Sequence, residues 1–239
     1  MSARGAALAA FVAALLLPAG ASASTTIATS AQLKPANERQ STYWAHPAQR
    51  APIRKKPTAR SNPIVSTHMK TEDGFSEVYL VIRSRTDSHG HDWLELRIPM
   101  RPNGKTGWVR ESAMGPLYRV GTRLVVDRSD LRASLYKHGR KIWSAPVGIG
   151  KSSTPTPEGH FWIREKFKAS GGIYGPRAFG TSDYSVLTDW PGGGVIGIHG
   201  TDEPGLIPGR PSHGCIRLKN HDVLKLYKLM GIGTPVLIK

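Results

Sequence analysis

The chain has 239 residues and carries 33 Lys and Arg against 17 Asp and Glu, so its formal net charge at pH 7 is +16. Hydrophobic residues make up 39% and charged residues 21%, which is ordinary for a globular protein and excludes a collagen, a coiled coil and a protein with several membrane spans. The single cysteine excludes an internal disulfide bond, and the basic charge indicates an anionic partner.

Residues 1–23 have the pattern of a signal peptide. Arg4 precedes an apolar run over residues 6–17, and the small residues Ala21 and Ala23 form a cleavage site. About a dozen apolar residues are too few for a transmembrane segment. We therefore expect secretion across the cytoplasmic membrane into the periplasm or the cell wall, where wall polyanions are the nearest partners for the positive charge. The sequence has neither zinc-finger spacing nor an RNP-like aromatic run, so nucleic acid is not expected as a partner.

Residues 24–62 predict a disordered basic tether. They are rich in Ala, Ser, Thr and Pro, and they carry seven basic residues against one acid, Glu38. So few large apolar side chains do not offset the entropy that is lost when a chain becomes ordered. We expect this segment to lie along an anionic wall.

Residues 63–117 have the pattern of a small β-barrel. The run over residues 78–82 is β-prone, and Asn103-Gly104 is a strong hairpin-turn signal. The segments 93–96 and 107–109, Trp-Leu-Glu-Leu and Gly-Trp-Val, resemble bacterial SH3-like domains. Relatives of that type often bind wall peptides, and a spacer domain without a ligand is the alternative.

Residues 118–239 predict a second domain that is again mainly β. Strand patterns occur at residues 124–126, 131–136, 142–147, 161–163 and 236–238. The apolar spacing that follows Asn220 predicts one short helix near the C-terminus, with Asn220 as its N-cap. The predicted fold class is therefore mainly β, in two domains.

The single cysteine lies in a segment that indicates chemistry, Ser212-His213-Gly214-Cys215, and His199 ends the apolar run that precedes it. A thiol is a nucleophile at neutral pH only as the thiolate, so it needs an imidazole or a cation beside it. Glycine before the cysteine lets the backbone turn sharply and brings amide groups close to an attacked carbonyl. One cysteine with two nearby histidines therefore indicates cysteine-dependent acyl transfer.

Three other interpretations remain open for these residues. A lone cysteine is commonly a small buried hydrophobe. A zinc site of His199, His213 and Cys215 is the second, although two of the ligands would be unusually close in sequence and no nearby carboxylate serves as a base. A papain-like wall endopeptidase is the third, but in that class the cysteine precedes the histidine. We expect neither a metal nor an organic cofactor.

Residues 198–201 and 212–217, Ile-His-Gly-Thr and Ser-His-Gly-Cys-Ile-Arg, resemble the signature of L,D-transpeptidase catalytic domains, the YkuD family. Residues 154–161 match the family's Thr-Pro-x-Gly-x-Phe segment, with His160 where a small polar residue is more usual. The resemblance covers residues 118–239. It implies a β-sandwich-like catalytic domain that acts on peptidoglycan stem peptides.

The resemblance also implies a role for each residue of the signature. Cys215 is the nucleophile and His199 the general base, whose ring is oriented by the backbone carbonyl of Gly200. The amides of Gly214 and Cys215 form the oxyanion hole. His213 shapes the site without holding the proton.

Two further residues are implied as substrate contacts. Arg217 binds a substrate carboxylate or fixes the loop of the cysteine. Tyr174 lies in a predicted mobile flap, residues 171–180, that faces the cleft, and an ordinary surface loop is the alternative for this segment.

The implied reaction joins two stem peptides. The thiolate attacks the carbonyl of the third residue of a tetrapeptide donor, a thioester forms, and an amine acceptor resolves it into a 3→3 cross-link. Water in place of the amine makes the same site an L,D-carboxypeptidase, and a non-catalytic wall-binding protein remains the non-enzyme alternative. The resemblance implies inhibition by carbapenems, and we expect a monomer.

Overall fold

The computed structural model describes residues 27–28, 33, 37–189 and 191–239. The predicted signal peptide, residues 1–23, lies outside the described residues. The described chain forms two β-sheets and one α-helix, as the predicted mainly-β class requires. In this part of the chain the helix is neither long nor apolar enough to cross a membrane.

The first sheet has eight strands, each paired antiparallel with its neighbours in the order β1-β8-β2-β5-β6-β7-β3-β4. The strands are β1 (Ile27–Ala28), β2 (Thr42–Ala45), β3 (Pro52–Arg54), β4 (Pro63–Ser66), β5 (Tyr79–Thr86), β6 (Asp92–Arg97), β7 (Thr106–Arg110) and β8 (Leu117–Val120). The predicted turn joins β6 to β7, with Gly104 at φ +86°, where glycine is strongly favoured. The assignment of this sheet to the SH3-like class stays a prediction.

The predicted disordered tether is wrong for residues 37–62. Strands β2 and β3 come from this segment, and Thr42, Ala45 and Ile53 are buried. Strand β2 lies between β5 and β8, so both edges of its backbone are hydrogen-bonded. Long-range pairing thus orders a segment whose own side chains bury little apolar surface. Apart from residues 27–28 and 33, residues 24–36 lie outside the described part.

The second sheet has ten strands in the order β11-β10-β9-β18-β13-β14-β15-β17-β12-β16. The strands are β9 (Thr122–Asp127), β10 (Arg132–Lys137), β11 (Arg140–Pro146), β12 (Gly148–Gly150), β13 (Gly159–Lys168), β14 (Arg177–Tyr184), β15 (Val195–His199), β16 (Gly209–Ser212), β17 (Ile216–Arg217) and β18 (Pro235–Ile238). The pairs β9–β18, β15–β17 and β12–β16 are parallel. All the strands predicted for this half are present.

The helix α1 (Asn220–Leu229) packs on the core of the second sheet through Val223 and Leu226, which are fully buried with Phe179 and Ile198. Its N-cap is Lys219 and not Asn220, so the predicted cap is wrong. The Asn220 side chain instead accepts a hydrogen bond from the backbone of the loop after β15.

The two halves are joined by a buried polar contact. The Arg164 guanidinium on β13 binds both carboxylate oxygens of Glu77, at 2.8 and 2.5 Å, and both residues are almost fully buried. Beside it, the Trp162 indole donates to the carbonyl oxygen of Val78 at 2.8 Å. Residues before β5 therefore have a fixed position relative to the second sheet, which places the loop 71–76 against β13.

Candidate active site

The parallel pairing of β15 and β17 brings the predicted histidine and cysteine together. His199 is the last residue of β15, and Cys215 directly precedes β17. A β-carbon placed on Gly197 would lie 3.5 Å from Cδ2 of His199 and 3.8 Å from Sγ of Cys215. The Gly197 N–H donates to Sγ at 3.4 Å. Because position 197 has no side chain, thiol and imidazole can meet above the same strand.

The imidazole of His199 is buried and has a defined tautomer. Its Nδ1 lies 2.6 Å from the carbonyl oxygen of Gly200, the contact expected from the sequence. A carbonyl only accepts hydrogen bonds, so in the neutral ring Nδ1 carries the proton and Nε2 is unprotonated. Burial lowers the pKa of His199 to about 4; the charge of Arg217 acts in the same direction, and hydrogen bonds to the backbone of Gly200 and Ile173 act against it. The ring is therefore neutral at pH 7.

The thiol of Cys215 is also neutral at rest. Burial raises its pKa and the Asp183 carboxyl adds to the increase, whereas the Gly197 N–H and the charge of Arg217 lower it. A neutral thiol beside a neutral imidazole forms a thiolate only when the proton moves to the ring. This arrangement suits a general base better than a preformed thiolate–imidazolium pair.

Two buried hydroxyl groups fix the loop before the nucleophile. Gly214 has φ +128°, a region that favours glycine. The Ser212 hydroxyl accepts from the Gly214 N–H at 3.1 Å and donates to the carbonyl oxygen of Cys215 at 2.6 Å. The Thr156 hydroxyl donates to the carbonyl oxygen of Gly214 at 2.6 Å and accepts from the Gly150 N–H at 2.9 Å.

The two amides predicted for the oxyanion hole have different surroundings. The Gly214 amide is engaged by Ser212 within the loop, so in this geometry it is not available to a substrate. The Cys215 amide belongs to the same planar trans peptide as the Gly214 carbonyl, which points to buried Thr156. The Cys215 N–H therefore points in the opposite direction, away from the buried side of the loop.

His213 and Arg217 lie at the rim of the site. The exposed His213 ring has its Nε2 3.4 Å from Nζ of Lys151. Arg217 forms an ion pair with Glu203 at 2.7 Å, so one nitrogen of its guanidinium group already has an acidic partner. Its charge lowers the pKa of both Cys215 and His199. The structure thus adds an electrostatic influence to the two roles expected for Arg217.

The predicted flap is shorter than expected. Residues 177–180 belong to β14, where pairing with β13 and β15 holds them, so the loop comprises residues 171–176. Tyr174 is 45% exposed, and its ring stands edge-on to the His199 ring at a centroid distance of 5.0 Å. The loop therefore covers the imidazole from the solvent side.

Two cavities meet at Cys215. The larger, of about 470 Å³, extends from Cys215 and His199 toward the first sheet and is lined there by Asp73 and Phe75. The smaller, of about 60 Å³, extends toward His213. Tyr174, His199 and Cys215 line both cavities. The thiol is thus accessible from two directions, as a reaction with two successive substrates needs.

A buried carboxyl that the sequence did not indicate lies behind the site. Asp183 is fully buried, and burial raises its pKa to about 7. One of its oxygens is bound to the Thr181 hydroxyl, which also bonds the Ile196 carbonyl oxygen at 2.6 Å. A hydroxyl has one proton to donate, so both bonds form when Asp183 is protonated and donates to Thr181.

Sequence reasoning also missed the residues that support the site. Thr156 and Ser212 lie within the motifs that were noticed, but their hydroxyl groups were given no role. The side-chain oxygen Oδ1 of Asn220 accepts from the Thr201 N–H at 2.9 Å and so holds the chain that follows Gly200. For Asp183 the sequence contains no signal, because a single Asp in a strand has no motif.

Among the described residues, no group of three or more His, Cys, Asp and Glu side chains is arranged to hold a metal ion. The three residues of the alternative zinc site all line the smaller cavity, but they do not form such a group.

Comparison with known proteins places similarity in the second sheet. A family model described as the L,D-transpeptidase catalytic domain, YkuD, matches residues 121–238. The YkuD protein of Bacillus subtilis is 31% identical over 121 residues, which are 51% of this chain and 68% of that protein. The YkuD protein of Bacillus licheniformis is 34% identical over 116 residues, 48% of this chain and 64% of that protein. The chain thus spans about two thirds of these relatives, and slightly less of the second.

Among solved structures, the NMR structure of the catalytic domain of the Enterococcus faecium L,D-transpeptidase is 27% identical to this chain. The similarity covers 49% of this chain and 96% of that domain, with a TM-score of 0.37.

Proposed function

Because the chain belongs to the YkuD family of L,D-transpeptidase catalytic domains, we propose that it is an L,D-transpeptidase that uses Cys215 as its nucleophile and His199 as its base. The observation that carries the proposal is the pair itself. A neutral imidazole with Nδ1 fixed by Gly200 lies above the same glycine as the thiol, and both line two cavities.

The first half-reaction acylates the enzyme. His199 takes the proton of the Cys215 thiol as Sγ attacks the carbonyl carbon of the third residue of a tetrapeptide stem. The negative charge that develops on the carbonyl oxygen is stabilised by the Cys215 amide. When the tetrahedral intermediate collapses, the C–N bond breaks, the imidazolium protonates the leaving amine, and the terminal D-amino acid departs from a thioester.

The second half-reaction returns the free enzyme. The amine of an acceptor stem attacks the thioester carbon and gives its proton to His199. The C–S bond then breaks, and the departing thiolate recovers that proton. The product is a 3→3 cross-link between two stems, as cell-wall biogenesis requires. Two cavities that meet at Cys215 leave the thiol open from two directions, which supports the successive approach of a donor and an acceptor.

The location of the protein follows from its substrate. Peptidoglycan lies outside the cytoplasmic membrane, so the protein acts in the periplasm or the cell wall, and the pattern of residues 1–23 agrees with export. The net charge of +16 favours contact with wall polyanions. Stem peptides and carbapenems are the proposed ligands of Cys215.

The test is intact mass spectrometry of the purified reduced protein with a carbapenem and, separately, with a disaccharide-tetrapeptide donor. We expect a covalent carbapenem adduct that is lost in Cys215→Ala and strongly slowed in His199→Ala. His221→Ala is the matched control, because His221 is exposed on α1 and should leave the rate unchanged.

The products separate the remaining alternatives. Cross-linked dimers support a transpeptidase, whereas tripeptides alone identify an L,D-carboxypeptidase that uses the same site. A folded protein that forms neither adduct nor product contradicts the proposal, and the non-catalytic wall-binding alternative would then be tested by binding to purified walls.

A further inference from the structure

The larger cavity beside Cys215 contains two carboxyl groups that the proposed reaction does not use. Glu165, on β13, is 3% exposed, and Asp73 lies on the loop 71–76 that reaches over from the first sheet. Both line the cavity together with the thiol and the imidazole. The pair is thus built from both halves of the chain.

A β-bulge directs Glu165 into the cavity. Ile163 pairs with Thr181 on β14, yet Glu165 pairs with the adjacent Gly180, so Arg164 is the extra residue. Without the bulge Glu165 would lie opposite Phe179, whose side chain is in the core. The extra residue therefore moves a carboxyl group from the core face to the cavity face, as bulges beside active sites commonly do.

Two glycines form the floor between this carboxyl group and the nucleophile. Gly180 pairs with Gly197 across β14 and β15, so both would present a side chain to the same face. A β-carbon on Gly180 would lie 2.5 Å from Oε2 of Glu165, and one on Gly197 would lie 3.8 Å from Sγ of Cys215. Since paired β-carbons are about 5 Å apart, Oε2 lies no more than about 12 Å from Sγ.

The other carboxyl group is held in place by its loop. The Thr71 hydroxyl accepts from the Phe75 N–H at 3.1 Å, and the Phe75 ring stacks on Phe167 of β13 at 5.7 Å. The neighbouring Glu72 is bound to the buried Arg164 at 2.9 Å. These contacts anchor the loop that carries Asp73 to β13.

The pair is suited to a cation. In the part of the chain that the structure describes, no basic side chain lies within 4 Å of either carboxyl group; Lys168 also lines the cavity but is exposed. Burial and the carboxylate of Asp73 raise the pKa of Glu165 to about 7, against a hydrogen bond from Thr71 and the charge of Arg164, which is itself bound to Glu77 and Glu72. The pair therefore favours a compensating positive charge, which a bound ammonium group can supply.

The distance indicates which substrate group this is. The attacking amine of the acceptor must come within about 3.5 Å of the thioester carbon. The residue whose carbonyl is attacked can carry a side chain of five single bonds. The terminal atom of that side chain lies about 6 Å farther from the thioester carbon. Glu165 is on β13, and β14 separates it from Gly197 on β15, the glycine under the thiol. It therefore lies two strand spacings from that glycine, about 9.6 Å away, and fits the end of such a side chain better than the attacking amine.

On the basis of the proposed function, we propose that Glu165 and Asp73 bind an ammonium group at the end of the third-residue side chain of the donor stem. The site thereby selects diamino-acid donors whose side-chain amine is free. It also keeps that amine protonated and away from the thioester, so that it does not attack its own acyl group.

The test compares three synthetic tetrapeptide donors that differ only at the third residue: lysine, Nε-acetyl-lysine and norleucine. The readout is the second-order rate of Cys215 acylation, followed by mass and by release of the terminal D-amino acid. We expect the lysine donor to react at least about tenfold faster than either neutral donor, because a hydrogen-bonded charge pair is lost with them. Equal rates for the three donors overturn the inference without any variant.

Variants locate the effect. Glu165→Gln and Asp73→Asn should each slow the lysine donor by about tenfold, while carbapenem and norleucine-donor acylation change little. Asp73 is exposed, so Asp73→Asn supports the test even if Glu165→Gln fails to fold. Asp202→Asn removes one exposed acid outside the cavity and should leave the lysine preference intact. If neither a donor nor the carbapenem acylates Cys215, the proposed function itself fails, and this inference with it.

Discussion

Replacing Thr156 by valine removes one hydroxyl group and keeps the shape of the side chain. Thr156 is fully buried, and its hydroxyl bridges the Gly150 N–H and the Gly214 carbonyl oxygen. Valine leaves both backbone groups buried without a partner. The Gly214 carbonyl and the Cys215 amide share one peptide plane. When the Gly214 carbonyl loses its hydrogen bond, the Cys215 N–H, the proposed oxyanion donor, therefore loses its fixed orientation as well.

The magnitude follows from these contacts. An unsatisfied buried backbone group costs about 1–3 kcal/mol, so the two groups together lower the free energy of unfolding by about 2–6 kcal/mol. For a protein of this size that corresponds to a decrease in Tm of roughly 4–24 °C. Losing the orientation of one oxyanion donor should slow acylation by about 100-fold.

The assay combines thermal unfolding with the rate of carbapenem acylation at a temperature where the variant is fully folded. Thr156→Ser is the matched control, because it keeps the hydroxyl group and should retain most of the activity. A valine variant that is folded and acylates at the wild-type rate would refute the connection drawn between Thr156 and the Cys215 amide.

Three further predictions concern charges in and behind the site. The acylation rate of the wild-type protein should fall only as the pH approaches the pKa of His199, about 4, because the ring must be neutral to accept the proton. Arg217→Gln should move this fall in rate to higher pH, because the charge of Arg217 lowers the pKa of His199. A wild-type rate that falls near pH 6.5 would contradict the lowered pKa. The pKa of Asp183 is raised to about 7 in the folded protein. The folded state therefore keeps a proton that the unfolded chain releases near pH 4. The stability that this proton contributes decreases as the pH rises from 4 through 7. Asp183→Asn should therefore gain up to about 4 kcal/mol relative to wild type between pH 4 and pH 8 in urea unfolding, and parallel pH profiles would be evidence against a protonated Asp183. Arg164→Met leaves the fully buried Glu77 without its cationic partner and should lower the free energy of unfolding by about 3–5 kcal/mol. Adding Glu77→Gln to this variant should recover part of the lost stability. If Arg164→Met does not lower the stability, the two halves do not depend on this ion pair.

The sequence predicted which residues come together at the candidate site because their signal is local. Cys215 and His199 lie in short motifs, and the contact between Nδ1 and Gly200 joins neighbouring residues. The residues that support them are distant in sequence. Thr156 bonds a residue 58 positions away, and Glu165 meets Asp73 only because β13 is bulged and the first sheet is docked on it.

The tether shows the same limit in the fold. Its composition favours disorder, and that inference was wrong for residues 37–62 because β2 is paired on both sides. Composition counts the apolar surface that a segment brings, but not the backbone hydrogen bonds that neighbouring strands provide. The flap was overestimated for the same reason, since residues 177–180 look like a loop yet are held within β14.

Alone, the sequence determined the class of chemistry, the mainly-β fold and the single helix, and it predicted Cys215 as the nucleophile and His199 as the base, since motifs and alternation act over a few residues. Tertiary structure decided which of the two predicted oxyanion amides remains available, that thiol and imidazole are both neutral at rest, and that two carboxyl groups from different sheets share the cavity of Cys215. Each of these depends on burial or on hydrogen-bond partners far along the chain, and burial is what changes the free energy of a charge or an unpaired polar group.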